Sequence, residues 1–220
     1  MPITHPISNL PAFLSVILKE MKKLHLLIII IAAVFAVFGV ILAFVLVHGH
    51  SSGQSRAADL AQNAESLRMA ASDKLSKATL AIDNLIEGAT AGDALPVNQT
   101  KAAIAQASSD LSSASDDLSR RAAALNSAAN PGLNDNFRHY LALQKSDNGK
   151  LQAAIIAAQQ ITQLLQNQEY SLAGWDQAQA QKAVAQVHSM EAGLDKTYGD
   201  AESLHNQADQ LKRDHPGDFG

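Results

Sequence analysis

The chain has 220 residues, of which 47% are hydrophobic and only 5% aromatic, and its formal net charge is −4. It contains no cysteine, which excludes disulfides and thiolate metal sites, so packing alone must hold the fold. The acidic balance argues against nucleic acid as a partner.

The first predicted element is a transmembrane helix over residues 24–47. This run contains no Asp, Glu, Lys or Arg, and at about 1.5 Å per residue it covers roughly 36 Å, enough for the ~30 Å hydrocarbon core of a bilayer. It is longer than the roughly 7–15 apolar residues of a cleaved signal peptide, and the HGHSSG that follows does not resemble a cleavage site. We therefore expect an uncleaved signal anchor that binds the chain to the lipid bilayer.

The flanks of this span predict its orientation. Three lysines precede it, Lys19, Lys22 and Lys23, whereas the first cation after it is Arg56. The positive-inside rule then makes residues 1–23 a short cytoplasmic basic or amphipathic tail. The expected location is the cell membrane, single-pass, with residues 51–220 in the periplasm or outside the cell, most consistent with a bacterial envelope.

Small residues lie on one face of the same span. They form a candidate surface for packing against another membrane helix: Ala32, Ala33, Ala36 and Gly39.

Two interpretations of the N-terminal tail are open. Asn9 and Pro11 resemble the start of a helix that would lie along the inner leaflet. Alternatively, Met21 is the true start and the preceding residues matter little.

The rest of the chain predicts an all-α fold, an antiparallel up-down-up-down four-helix bundle over residues 56–213. Proline and glycine clusters separate long segments that are rich in alanine, glutamine and leucine. The predicted helices cover about 54–90, 97–129, 134–170 and 175–213, between a flexible linker at 48–55 and a disordered tail at 214–220.

Apolar residues in these segments recur at helical spacing. In the first segment the predicted stripe includes Leu60, Leu67 and Leu75. In the second, large apolar residues recur every seven residues with alanine between them, which is a heptad seam: Val97, Ile104, Leu111, Leu118 and Leu125, with Ala107 and Ala114.

The third segment contains QKSDNGK, in which Asn148-Gly149 is a turn signal. Apolar positions nevertheless keep steps of three and four residues across it, from Phe137 to Leu165. A loop has no reason to preserve this register, so we predict one continuous helix, bent at Gly149 if at all.

Continuity places Gln144 and Asn148 in the seam of the bundle. Counting back across the predicted turns puts Tyr198 and His205 at the same level, with Tyr198 as the expected partner of Asn148. These four residues are a candidate polar layer. The favoured interpretation is that they fix helix register; the other is that they form a small ligand pocket.

No other pattern in the sequence indicates a chemical site. QKSDNGK lacks the carboxylates of a calcium loop, and His48 and His50 supply only two metal ligands. The sequence contains no nucleophile elbow, phosphate-binding glycine loop or HExxH motif. We expect no catalytic residue, no metal and no cofactor.

The plan of basic tail, anchor and outer four-helix bundle resembles the sensor half of bacterial chemoreceptors over residues 20–213. Those receptors have a second transmembrane helix that leads to a cytoplasmic signalling module, whereas LKRDHPGDFG is expected outside. The first functional hypothesis is therefore a non-enzymatic module that binds or scaffolds another cell-envelope protein or self-associates. The alternative is a sensor-like or accessory subunit that binds a ligand at the polar layer.

Overall fold

The computed structural model describes residues 53–91, 95–130 and 132–219. This part of the chain is all-helical, with five α-helices and no strand, as the predicted fold class requires. None of its helices is both long and apolar enough to cross a bilayer. The predicted span at 24–47, with the three lysines before it and its face of small residues, lies outside the described residues.

Four long helices and one short helix follow each other along the chain. They are α1 (Gly53–Ala91), α2 (Val97–Ala128), α3 (Asp135–Gln166), α4 (Glu169–Leu172) and α5 (Gln177–Asp214), and a 3₁₀ turn follows at Pro216–Asp218. α1 already begins at Gly53, inside the predicted flexible linker.

Short polar side chains fix the starts of two helices. The Asn134 side chain accepts a hydrogen bond from the Phe137 backbone N–H at 2.7 Å, and Asp176 does the same for Gln179 at 3.0 Å. Each satisfies a backbone donor that the first turn leaves free. Gly174, between α4 and α5, has a φ of 87°, which only glycine adopts without strain.

α3 continues without a break through Asn148-Gly149. It ends at Gln166, however, and not near residue 170 as predicted. The chain turns at 167–168 and resumes as α4, which carries Leu172 back into the core at 2% exposure.

The helices pack into a helical bundle whose core has two parts. α1 packs most extensively against α2, and α3 against α5, while α1 and α5 share little contact. The larger part, the aliphatic cluster, has no aromatic member among its buried residues and is built mainly by Leu75, Ile82, Leu111, Leu118, Leu151, Ile155, Ile161, Leu165 and Leu194. The smaller part, the aromatic cluster, comprises Phe137, Tyr140, Leu125, Leu133 and Leu141 surrounded by alanines.

The predicted disordered tail at 214–220 is ordered through residue 219. The Phe219 ring lies 5.2 Å from the rings of both Phe137 and Tyr140. The backbone carbonyl of Asp218 accepts hydrogen bonds from Gln54 on α1 and from Asn134 before α3. The prediction failed because the tail is held by one aromatic side chain and a few polar contacts, which do not form a periodic pattern.

Candidate functional site

A layer of polar side chains separates the two apolar clusters. On α1 it falls between Ala64 and Ala71, at Arg68, and on α2 it falls at Arg121. On α3 it is formed by Gln144 and Asp147. All four polar side chains are at least 95% buried, and we call this group the polar layer.

Asp147 is the centre of the polar layer because both arginines share one of its oxygens. Its Oδ2 accepts from Arg68 Nε at 3.0 Å and from Arg121 Nη2 at 2.6 Å. The same Nη2 of Arg121 also donates to Gln144 Oε1. At the edge of the layer Arg68 Nη2 donates to Glu202 of α5 at 2.8 Å.

Burial and the two carboxylates act in opposite directions on the arginines. Burial works against the charge of Arg68, but Asp147 and Glu202 outweigh it, so the pKa of this guanidinium is raised. At Arg121 burial prevails over the attraction of Asp147 and lowers the pKa. Arginine stays charged over the ordinary pH range, so the layer is a permanent buried charge cluster.

Several polar atoms at this level have no hydrogen-bond partner among the described protein atoms. They include donors and acceptors: Arg121 Nε and Nη1, Gln144 Nε2, Asp147 Oδ1, Asn148 Oδ1, Glu65 Oε2 and His205 Nδ1. A buried polar atom that is left without any partner costs about 1–3 kcal/mol, so these atoms are the ones to which a bound polar group could be attached.

The four residues predicted to form the layer do not meet as one group. Gln144 lies inside it, whereas Asn148 is only half-buried. The Tyr198 hydroxyl lies 3.2 Å from Ser72 Oγ, and Asn148 Oδ1 has no hydrogen-bond partner among the residues that the structure describes. The predicted pairing of Asn148 with Tyr198 is therefore wrong. The reason is angular, because Asn148 lies one residue beyond Asp147, about 100° around the helix.

His205 lies beside the layer and contacts carboxylates. Its Nε2 is 3.5 Å from Glu65 of α1 and 3.5 Å from Asp209 on its own helix.

Sequence reasoning missed Arg68, Arg121 and Asp147, although the heptads contain a signal for one of them. On α2 the seam positions between the large residues are Ala107, Ala114, Arg121 and Ala128. An arginine in a series of alanines at a buried position is the anomaly that marks the layer. Charged residues are rarely fully buried unless paired, and the pairing partner is visible only in three dimensions.

A second feature is an open groove between α1 and α5. One cavity of about 340 Å³ lies over aliphatic residues of the core, namely Leu75, Ile82, Ile161 and Leu194. A second cavity of about 430 Å³ lies further along the same two helices, beside Ile86, Thr90 and His188. Together they form the α1–α5 groove.

Four carboxylates border this groove, and we call them the acidic rim: Asp83 and Glu87 on α1, Glu191 and Asp195 on α5. Burial, with Asp195 nearby, raises the pKa of Asp83. Burial also raises the pKa of Glu191, and Asp83 and Asp195 add to this against the opposing effect of His188. Like charges are thus held together at the cost of mutual repulsion.

Lysine and arginine are absent from the described lining of the groove, and the only basic side chain there is His188. Residues 53–91, 95–130 and 132–219 also contain no group of three His, Asp or Glu side chains placed to hold a metal ion.

Comparisons of the chain with protein-family models, with curated proteins and with solved structures find no match. The site must therefore be interpreted from its own geometry.

Proposed function

We propose that the chain is a membrane-anchored, non-enzymatic module whose helical bundle binds another protein of the cell envelope. The observation that carries the proposal is the α1–α5 groove, which is open along its length, apolar at its floor and acidic at its rim. Such a surface is typical of helical grooves that recognise a partner segment.

The proposed architecture is an antiparallel up-down-up-down bundle. The pairs that bridge helices support it, because their numbers run in opposite directions along neighbouring helices. Between α2 and α3, Arg121 pairs with Gln144 and Ser115 pairs with Gln152. Between α1 and α5, Arg68 pairs with Glu202 and Ser72 pairs with Tyr198.

The proposed location rests on the sequence. The apolar run at 24–47 would anchor the chain, and the lysines before it would keep residues 1–23 in the cytoplasm. The bundle would then lie outside, and the face of small residues at 32–39 would allow a second contact with a partner within the membrane.

The acidic rim favours a different protein over a second copy of the chain. If two copies met groove to groove, the four carboxylates of one rim would face the four of the other. Like charges brought into contact in this way weaken binding by several kcal/mol, as an order of magnitude. Self-association would have to use another surface.

Affinity purification with crosslinking tests this proposal. The full chain is extracted in a mild detergent after crosslinking in its native membrane, and its complexes are resolved by size and identified by mass spectrometry. We expect a stoichiometric complex with another envelope protein. A chain recovered alone, in a single monomeric species with and without crosslinker, would contradict the proposal.

A second candidate function, ligand binding at the polar layer, is favoured by the partnerless polar atoms there. Thermal unfolding in the presence of small polar metabolites tests it. A raised unfolding temperature that is lost in Gln144→Leu, while the variant remains folded, would support ligand binding. An unchanged temperature with every metabolite would leave the layer a structural element.

A further inference from the structure

The α1–α5 groove has the dimensions of a site for one helix. It is lined on α1 from Leu75 to Ala91, which at about 1.5 Å per residue corresponds to roughly 24 Å, or about four helical turns. Its walls are two neighbouring helices of the bundle, so a ligand helix would pack as an additional member against existing ridges.

The floor of the groove is apolar, and its residues are at most 6% exposed. Leu75, Ile82 and Leu194 reach it from both walls, and all three belong to the aliphatic cluster. On the outer side of α1, Leu80 is 60% exposed, one turn from Ser76. A ligand with an apolar stripe would extend this cluster outward.

The spacing of the acidic rim is the most specific observation. Asp83 and Glu87 on α1 are four residues apart, and so are Glu191 and Asp195 on α5. Each pair therefore presents two carboxylates about 6 Å apart along its helix. Cations at positions i and i+4 on the flanks of a ligand helix have the same spacing.

The rim is costly to the bundle on its own. Like charges four residues apart destabilise a helix, and within the described part of the chain no lysine or arginine forms an ion pair with these four carboxylates. Some other acids of the bundle are paired, as Asp200 is with Lys150 across α3 and α5, but the rim holds its four carboxylates close together. Features that break the local rules without internal compensation are expected at functional surfaces.

We propose that the α1–α5 groove docks a cationic amphipathic helix of a partner protein, with the apolar stripe of that helix on the aliphatic floor and its lysines or arginines on the acidic rim. The inference rests on the proposed function and names the class of partner. Burial is the main cause of the raised pKa values of Asp83 and Glu191, and neighbouring carboxylates add to it; a bound cation would relieve that added repulsion.

Direct peptide binding tests this docking. The probe is a fluorescent synthetic peptide of about 16 residues, a length matched to the groove, with leucines at i, i+3, i+4 and i+7 and lysines on both flanks. Fluorescence anisotropy is measured with the full chain in nanodiscs of zwitterionic phosphatidylcholine, and empty nanodiscs give the background. Two control peptides carry glutamates for the lysines, or the same residues in a scrambled order without an apolar stripe.

A matched pair of variants separates the groove from the overall charge. Asp83→Asn/Glu191→Gln/Asp195→Asn neutralises the rim, and Asp59→Asn/Asp110→Asn/Asp116→Asn removes the same charge elsewhere. We expect the lysine peptide to bind the wild type and the second variant alike, and the rim variant at least about tenfold more weakly. Circular dichroism serves as the check that both variants are folded.

Three results would overturn the docking proposal. These are equal weakening by both variants, equal binding of the scrambled peptide, and no binding above that of empty nanodiscs. If a partner still co-purifies in any of these cases, the proposed function stands and the partner docks elsewhere. If the peptide binds but no partner is found, the groove is confirmed and the proposed function fails.

Discussion

The two apolar clusters lie on either side of the polar layer and are completed in different ways. In the aromatic cluster the buried residues of α1 are all alanines, and the space is filled by Phe137, Tyr140 and, from the C-terminal tail, Phe219. In the aliphatic cluster leucines and isoleucines fill the interior, but no segment of the described chain covers the seam between α1 and α5. One half is closed by the C-terminal tail, and the other is open along the α1–α5 groove.

The two halves of the bundle therefore differ in how they are stabilised. The aromatic half uses local contacts from the tail to hold the start of α1, and its stability is internal to the chain. The aliphatic half keeps four carboxylates beside its open seam, and among the described residues no lysine or arginine pairs with them, which destabilises the isolated bundle. The polar layer between them is the boundary.

The largest expected effect on stability comes from replacing Asp147, the centre of the polar layer. Asp147→Ala leaves Arg68 and Arg121 buried without their shared carboxylate, which costs about 3–5 kcal/mol of the free energy of unfolding. Urea unfolding of the full chain in a mild detergent, followed by far-UV circular dichroism, measures it. Asp73→Ala is the control, because Asp73 forms an exposed ion pair with Lys77 and should change stability by less than about 0.5 kcal/mol. Equal losses in both variants would mean that the layer is not an obligate charge cluster.

Replacing the whole polar layer with apolar residues should remove the separation between the two clusters. Arg68→Met, Arg121→Met, Gln144→Leu and Asp147→Leu together would merge the two clusters into one apolar core, and we expect stability to be unchanged or raised by about 1–4 kcal/mol. The same urea titration measures the change, and hydrogen exchange shows whether the helices keep their register. A large loss of stability would indicate that the layer performs a structural task that apolar packing cannot replace.

Removing the tail's aromatic ring from the aromatic cluster should lower stability less, and only locally. Phe219→Ala removes one partly exposed ring from Phe137 and Tyr140, and we expect a loss of about 1–2 kcal/mol. Hydrogen exchange should accelerate at the starts of α1 and α3 and remain unchanged around Leu111 and Ile155. Acceleration throughout both halves would show that the polar layer does not separate them.

Much of the fold could be predicted from the sequence, because helix propensity and seven-residue spacing are local properties. Of the α2 heptad, Ile104, Leu111, Leu118 and Leu125 are all at most 3% exposed, whereas Val97 in the first turn is only half-buried. On α1 the predicted stripe was one residue out of phase near its start, since Leu60 and Leu67 are half-buried while Ala61 and Arg68 are buried. Because alanine occurs on every side of this helix, the sequence does not show clearly which face is buried.

The candidate site was predicted less well because its members depend on contacts between helices. A polar level in α3 was expected from Gln144, but spacing alone cannot choose between Asp147 and Asn148, which both adjoin the seam. Arg68 and Arg121 belong to the layer because both form ion pairs with Asp147, and these contacts between three helices cannot be read from spacing. The acidic rim likewise joins two helices about 100 residues apart in the sequence.

The smallest predicted effect concerns the acidic rim and pH. The folded state raises the pKa of Asp83 and Glu191, so it binds their protons more tightly than the unfolded chain does. Their protonation therefore stabilises the bundle, and this contribution is lost as the pH rises through the raised values. We expect Asp83→Asn/Glu191→Gln to melt at a higher temperature than the wild type at pH 7, with the difference shrinking toward pH ~4.

The control for this pH dependence is Asp110→Asn/Asp116→Asn, which removes the same charge from α2. Its melting temperature should differ from that of the wild type by the same small amount throughout. A difference for the rim variant that grows as the pH falls would contradict the repulsion inferred at the rim.

Site-specific photocrosslinking in the native membrane tests the central claim, that a partner docks on the open aliphatic half, most directly. A photoreactive residue is placed at Ser76, which is exposed and lines the groove, or at Ile156, which is 45% exposed on α3. The account predicts an adduct with another envelope protein from Ser76 alone, and its loss in Asp83→Asn/Glu191→Gln/Asp195→Asn. An adduct from Ile156 alone, or one from Ser76 that survives neutralisation of the rim, would contradict it.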